Sequence, residues 1–171
     1  EWAWNVLPQG ADFSYFRLML DAYRALRRRG LSIDMVPSDT EDLSGYDLVL
    51  APGLACIPDG LQRAASQAVS LYGPRAGAVT EELTIPVPMG PALDGLDTTV
   101  TRVESLPPGT ERPAAGGGVV RHWFETLEGT ADTLIQTTDD SPVLVASDTT
   151  HYLGGWPDDM LWDRIVVMLA D

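Results

Sequence analysis

The sequence predicts an α/β domain built on a mostly parallel sheet, with β-hairpins added in its second half. Three observations carry this expectation. Residues 12–29 repeat apolar side chains at helical spacing. Two short apolar runs, DLVLA at 47–51 and AVSLY at 68–72, each end at a Pro/Gly turn and alternate with helical stretches. From Thr98 onward, short β-like segments are separated by Pro, Gly and Asp clusters.

In the first helix Phe16, Met19, Leu20, Tyr23 and Leu26 recur at three- and four-residue steps, with Asp12 expected as its cap and Gly30 as its stop. Arg27, Arg28 and Arg29 fall in its last turn, where cations complement the helix dipole. Leu31–Val36 alternates apolar Leu31, Ile33 and Met35 with Ser32 and Asp34, which predicts a strand. Residues 47–51 predict a buried strand, 58–67 a short helix and 68–72 a second buried strand. Five further strand-like segments follow at 98–106, 119–127, 133–138, 143–147 and 151–153. PPGTERPAAGGG at 107–118 reads as a mobile surface loop, its glycine triplet as a flexible hairpin end. Pro157–Leu169 closes the chain with a helix whose Met160, Leu161, Ile165, Met168 and Leu169 form one stripe, with Asp158 and Asp159 in the first turn.

With 171 residues, 44% hydrophobic and 21% charged, the chain suits one globular domain, taken as residues 1–171. A net charge of −14 opposes binding to phosphate backbones and anionic membrane surfaces, and all eleven basic residues are Arg. A single Cys56 excludes an internal disulfide, and no apolar run approaches the roughly 20 residues of a membrane-spanning helix. The chain opens at Glu1 without an initiator Met or a signal-peptide pattern, so it reads as a piece excised from a longer polypeptide.

Three constellations invite a chemical reading. Cys56 follows a predicted strand and would need His122 or His151 as its base in an amidotransferase-like hydrolase. Its setting, PGLACIPDG, lacks the G-x-C-x-G elbow that exposes such a nucleophile, and both histidines sit in strand-like runs beside aromatics. Trp2, Trp4, Trp123, Trp156 and Trp162 could stack on sugars in a binding module, fill a subunit interface or fill a core. Two separated histidines and one cysteine show no metal-ligand spacing, adjacent Glu81 and Glu82 cannot flank a sugar as a catalytic pair, and Gly116–Gly118 lacks the Lys and Ser/Thr of a phosphate loop. No metal, cofactor or catalytic residue is assigned.

Several stretches, in order, resemble the middle domain of glycoside hydrolase family 42 β-galactosidases: EWAWNVLPQG, FSYFRLMLDAYRALRRRGLSIDMVP, LSGYDLVLAPGL, YGPRAGAVTEE, VTRVESLP and YLGGWPDD. The GPR-x-G-x-x-TE segment at Gly73–Glu81 is the most specific of them. The resemblance implies a flavodoxin-like or class I glutamine amidotransferase-like three-layer sandwich with helices on both faces. It also implies a non-catalytic domain that assembles a cytoplasmic enzyme into a homotrimer and follows a (β/α)8 barrel in the same chain. The barrel would hold the two Glu residues of a retaining mechanism acting on terminal non-reducing β-D-galactose. It further implies a hydrophobic strand ahead of Glu1, whose absence would leave a central place in the sheet vacant. The constrained turn after the second buried strand puts Arg75, Thr80, Glu81 and Glu82 where they could line a substrate vestibule, or where Arg75 could pair with a buried Glu81.

Overall fold

The computed structural model describes residues 12–58 and 60–170 of the chain. The described residues form three helices, α1 (Tyr15–Arg28), α2 (Leu61–Ala64) and α3 (Asp159–Ala170). Nine strands accompany them: β1 (Leu48–Ala51), β2 (Val69–Tyr72), β3 (Thr98–Ser105), β4 (Glu111–Pro113), β5 (Val119–Gly129), β6 (Asp132–Gln136), β7 (Pro142–Ser147), β8 (Thr150–Leu153) and β9 (Gly155–Pro157). They form two sheets, β1-β2-β8-β7-β6 and β3-β5-β4, with β9 joined to β5.

This arrangement corrects the expected fold class. Strands outweigh helices, only β1, β2 and β8 run parallel, and every other pairing is antiparallel. The chain is not a helix-rich, mostly parallel flavodoxin-like or amidotransferase-like sandwich. The reason is local. A parallel crossover needs a dozen or more residues, usually helical, whereas the turn clusters after Thr98 come too often to leave room for one. The one long parallel connection, from β2 to β8, carries β3, β4 and β5 of the second sheet.

One face of the first sheet is covered by α1 and α3 in a cluster containing Leu18, Ala22, Leu26, Leu71, Leu144, Leu153, Trp162 and Ile165. The other face, with Tyr72, Val145 and Tyr152, packs against Leu61, Ala65, Leu93, Leu96 and Val100. β1 serves both, since Leu48 and Leu50 meet the first cluster and Val49 and Ala51 the second.

α1 is capped two residues later than expected. Ser14 is its cap, accepting from the Arg17 amide, while Asp12 is drawn to His122 at 3.0 Å. Gly30 closes the helix at φ 76°, as its sequence position suggests. Arg28 reaches α3, 2.8 Å from Asp163 and 3.6 Å from Asp159. The strand expected at Leu31–Val36 is corrected: Leu31–Asp34 alternates half-buried and exposed residues, but Met35 and Val36 are both exposed and the segment belongs to neither sheet.

The stretch at 107–118 is also corrected, because it is tied into the fold. β4 pairs with β5, and the Ala115 amide donates to the Gln136 carbonyl. Gly118 lies at φ 83°, and a Cβ there would stand 2.8 Å from the Leu161 amide nitrogen. The triplet therefore allows close approach to α3. Asp158 caps that helix, accepting from Leu161 and Val119 amides. Among the described residues, no helix is long and apolar enough to cross a membrane.

Candidate functional site

The strongest polar constellation gathers where β2 and β8 end against the second sheet. Glu125, in the middle of β5, is fully buried and lies on the same strand face as Trp123 and Leu127. Its Oε1 accepts from the Arg75 amide and the Trp123 Nε1–H, each at 2.9 Å. Its Oε2 accepts from the Tyr152 hydroxyl at 2.8 Å. Tyr152 stands opposite Tyr72 in the β2/β8 ladder, so one carboxylate links two sheets and the turn after β2.

That turn is sharply constrained. Gly73 has φ 91° and a Cβ there would overlap the Leu153 carbonyl, and Arg75 is left-handed at φ 65°. The Arg75 guanidinium lies over the Trp123 ring, 5.7 Å from its centre.

Burial pushes the Glu125 carboxyl up to about 7, against the pull of its three donors and Arg75. Burial and then the Glu125 charge push the Tyr152 hydroxyl well above its ordinary value. The arrangement fixes the shape of the loop beyond Arg75. Its one signal in the sequence is a carboxylate falling in step with Trp123 and Leu127 on a strand.

The four residues expected around a vestibule divide between two places. Thr80, Glu81 and Glu82 line one cleft of about 430 Å³ with Cys56, Arg63 and Asp94. Arg75 is buried against Trp123 and Glu125 instead. The expected Arg75–Glu81 pairing is thus corrected: the carboxylate facing Arg75 is Glu125, and Glu81 is exposed.

The amidotransferase-like reading finds no support. Cys56 packs with Ala55 and Val79, and no histidine lines its cleft. His122 is engaged by Asp12 and stands edge-on to Trp156, while His151 Nδ1 faces the Thr149 carbonyl. The sugar-platform reading fails for Trp123, Trp156 and Trp162, all buried in the core. Trp2 and Trp4 lie outside the described residues.

Comparison with known proteins agrees with this architecture. The β-galactosidase of Thermus thermophilus is 36% identical over 176 residues, which cover 99% of this chain and 27% of that protein. The solved structure of the β-galactosidase of Halorubrum lacusprofundi superposes with a TM-score of 0.88 at 31% identity, across 99% of this chain and 28% of its own. That of the psychrophilic Marinomonas ef1 superposes at 0.92 with 33% identity, again over 99% of this chain and 27% of its own. The chain thus spans about a quarter of the length of these relatives. The model of the β-galactosidase trimerisation domain matches residues 1–171 throughout, and the chain belongs to that family.

Proposed function

We propose that this domain assembles a β-galactosidase into a homotrimer and is joined, in one longer polypeptide, to a (β/α)8 barrel. That barrel cleaves terminal non-reducing β-D-galactose residues by a retaining, two-carboxylate mechanism, in the cytoplasm. The domain itself turns over no substrate.

One observation besides family membership supports the reading. The loop that follows the Arg75 turn leaves Leu83, Ile85, Val87 and Met89 exposed, Val87 at 96%. An exposed apolar row on a constrained loop suits contact with another subunit. Thr80, Glu81 and Glu82 precede it in the chain and line a neighbouring cleft, where they could meet the mouth of a barrel from the neighbouring subunit and form its vestibule. Arg75 acts there from behind, by holding the turn.

The test is turnover of a chromogenic β-galactoside by the parent polypeptide and, separately, by the 171-residue chain. Activity confined to the parent is expected. Hydrolysis by the purified domain would overturn the non-catalytic assignment.

A further inference from the structure

α1 carries two apolar stripes. Leu18, Ala22, Ala25 and Leu26 are buried in the cluster that covers the first sheet. Phe16, Leu20 and Tyr23 recur at steps of four and three residues on the other side of the helix, with Phe16 71% and Tyr23 37% exposed. Arginines border this outer stripe. Arg17 and Arg24 run alongside it with half or more of each side chain in solvent, and exposed Arg27 continues it one turn beyond Tyr23. Residues 15–29 hold five of the eleven arginines and one of the twenty-five acidic residues, and that one, Asp21, is buried. The helix is thus a basic, partly aromatic ridge on a molecule of net charge −14.

The loop after the Arg75 turn has the opposite make-up, with exposed Glu81 and Glu82 leading into its apolar row. Among the described residues neither glutamate is paired with an arginine. A ring of three identical subunits closes through a heterologous contact, in which one surface of a subunit meets a different surface of the next. The loop therefore needs a complement elsewhere on the chain, apolar at its centre and basic at its rim.

We infer that the outer face of α1 is that complement: Glu81 and Glu82 of one subunit meet Arg24 and Arg27 of a second copy, while the apolar row of the loop covers Phe16, Leu20 and Tyr23. The inference rests on the trimer proposed above and names the surface on which its loop docks. α1 covers one face of the first sheet, whereas the turn that leads into the loop starts from the cluster on the other face, at Ala76. One copy can thus offer both surfaces at once, as a closed ring requires.

The test is the mass of charge-reversed parent polypeptides across a dilution series. Arg24→Glu with Arg27→Glu should raise the concentration at which half the trimer dissociates by at least roughly tenfold, because like charges then face each other across the contact. Glu81→Arg with Glu82→Arg should do the same. All four substitutions in one chain should restore most of the assembly, which a helix or loop damaged by its own substitutions would not do. A trimer indifferent to reversal on α1 would overturn the inference, and a lowered melting temperature in that variant would assign the face to the barrel of its own chain. Failure of the fourfold variant to recover would overturn it as well. Indifference on α1 combined with dissociation by Val87→Asp removes only this docking surface and leaves the trimer standing, whereas an unmodified parent of single-subunit mass removes both.

Discussion

A carboxylate that keeps its proton in the folded chain and loses it in the unfolded one makes stability depend on pH. Glu125, pushed up to about 7 by burial, is such a group. Between its ordinary value near 4.5 and about 7 the folded state binds more protons than the unfolded state. Its stabilising contribution is therefore complete below the lower value and is lost as pH rises through the upper one. The steepest slope for one proton is about 1.4 kcal/mol per pH unit. Urea unfolding near pH 5 and near pH 8 should show the domain losing stability toward the higher pH, and Glu125→Gln should flatten that dependence. A slope unchanged by the substitution would assign it to other carboxylates. At this scale the sequence was only partly legible. Arg75 stood out because GPRAG is a constrained turn, but its partner lies fifty positions away on another sheet, and residue spacing carries no information about which strands meet. Glu81 was the nearer carboxylate in the chain and is exposed to solvent.

The α1–α3 layer separates surface electrostatics from core packing. Arg28 joins the two helices through Asp159 and Asp163, but all three side chains are substantially exposed, so Arg28→Ala should cost less than about 1 kcal/mol. Trp162, wholly buried in the same layer, should cost about 3–5 kcal/mol when cut to Ala. Denaturant titration of the two variants checks the order. Gly118→Ala places a side chain both at φ 83° and against the Leu161 amide, and should cost about 1–3 kcal/mol, read as a lower melting temperature. Elements with a strong internal period were legible: α1, α3, β1 and β2 lie within a few residues of their expected positions, because burial on one stripe or on both faces imprints the sequence directly. The hairpin at 107–118 was not. Its order comes from β5 and α3, partners that a Pro- and Gly-rich stretch does not announce.

For the whole molecule, the parallel core expected from the first half accounts for only three strands, and the antiparallel sheet inserted between β2 and β8 sets the fold class. Short antiparallel segments were visible one by one in the sequence; their assembly into a separate sheet was not, because strand order depends on contacts distant in the chain. That second sheet supplies Glu125, and Glu125 holds the turn from which the apolar row at Leu83–Met89 departs. Under the proposed assembly, the link from fold to trimer is mechanical: the Glu125-held turn leads into the loop offered to the neighbouring subunit. The most direct test is the light-scattering mass of the parent polypeptide, with and without Val87→Asp. The unmodified parent is predicted to have three times its subunit mass, and Val87→Asp to shift it toward the single subunit with little change in melting temperature, as befits a side chain that touches solvent in the isolated domain. A parent that runs as a single subunit, or a trimer indifferent to the charge at Val87, would contradict assembly through this loop.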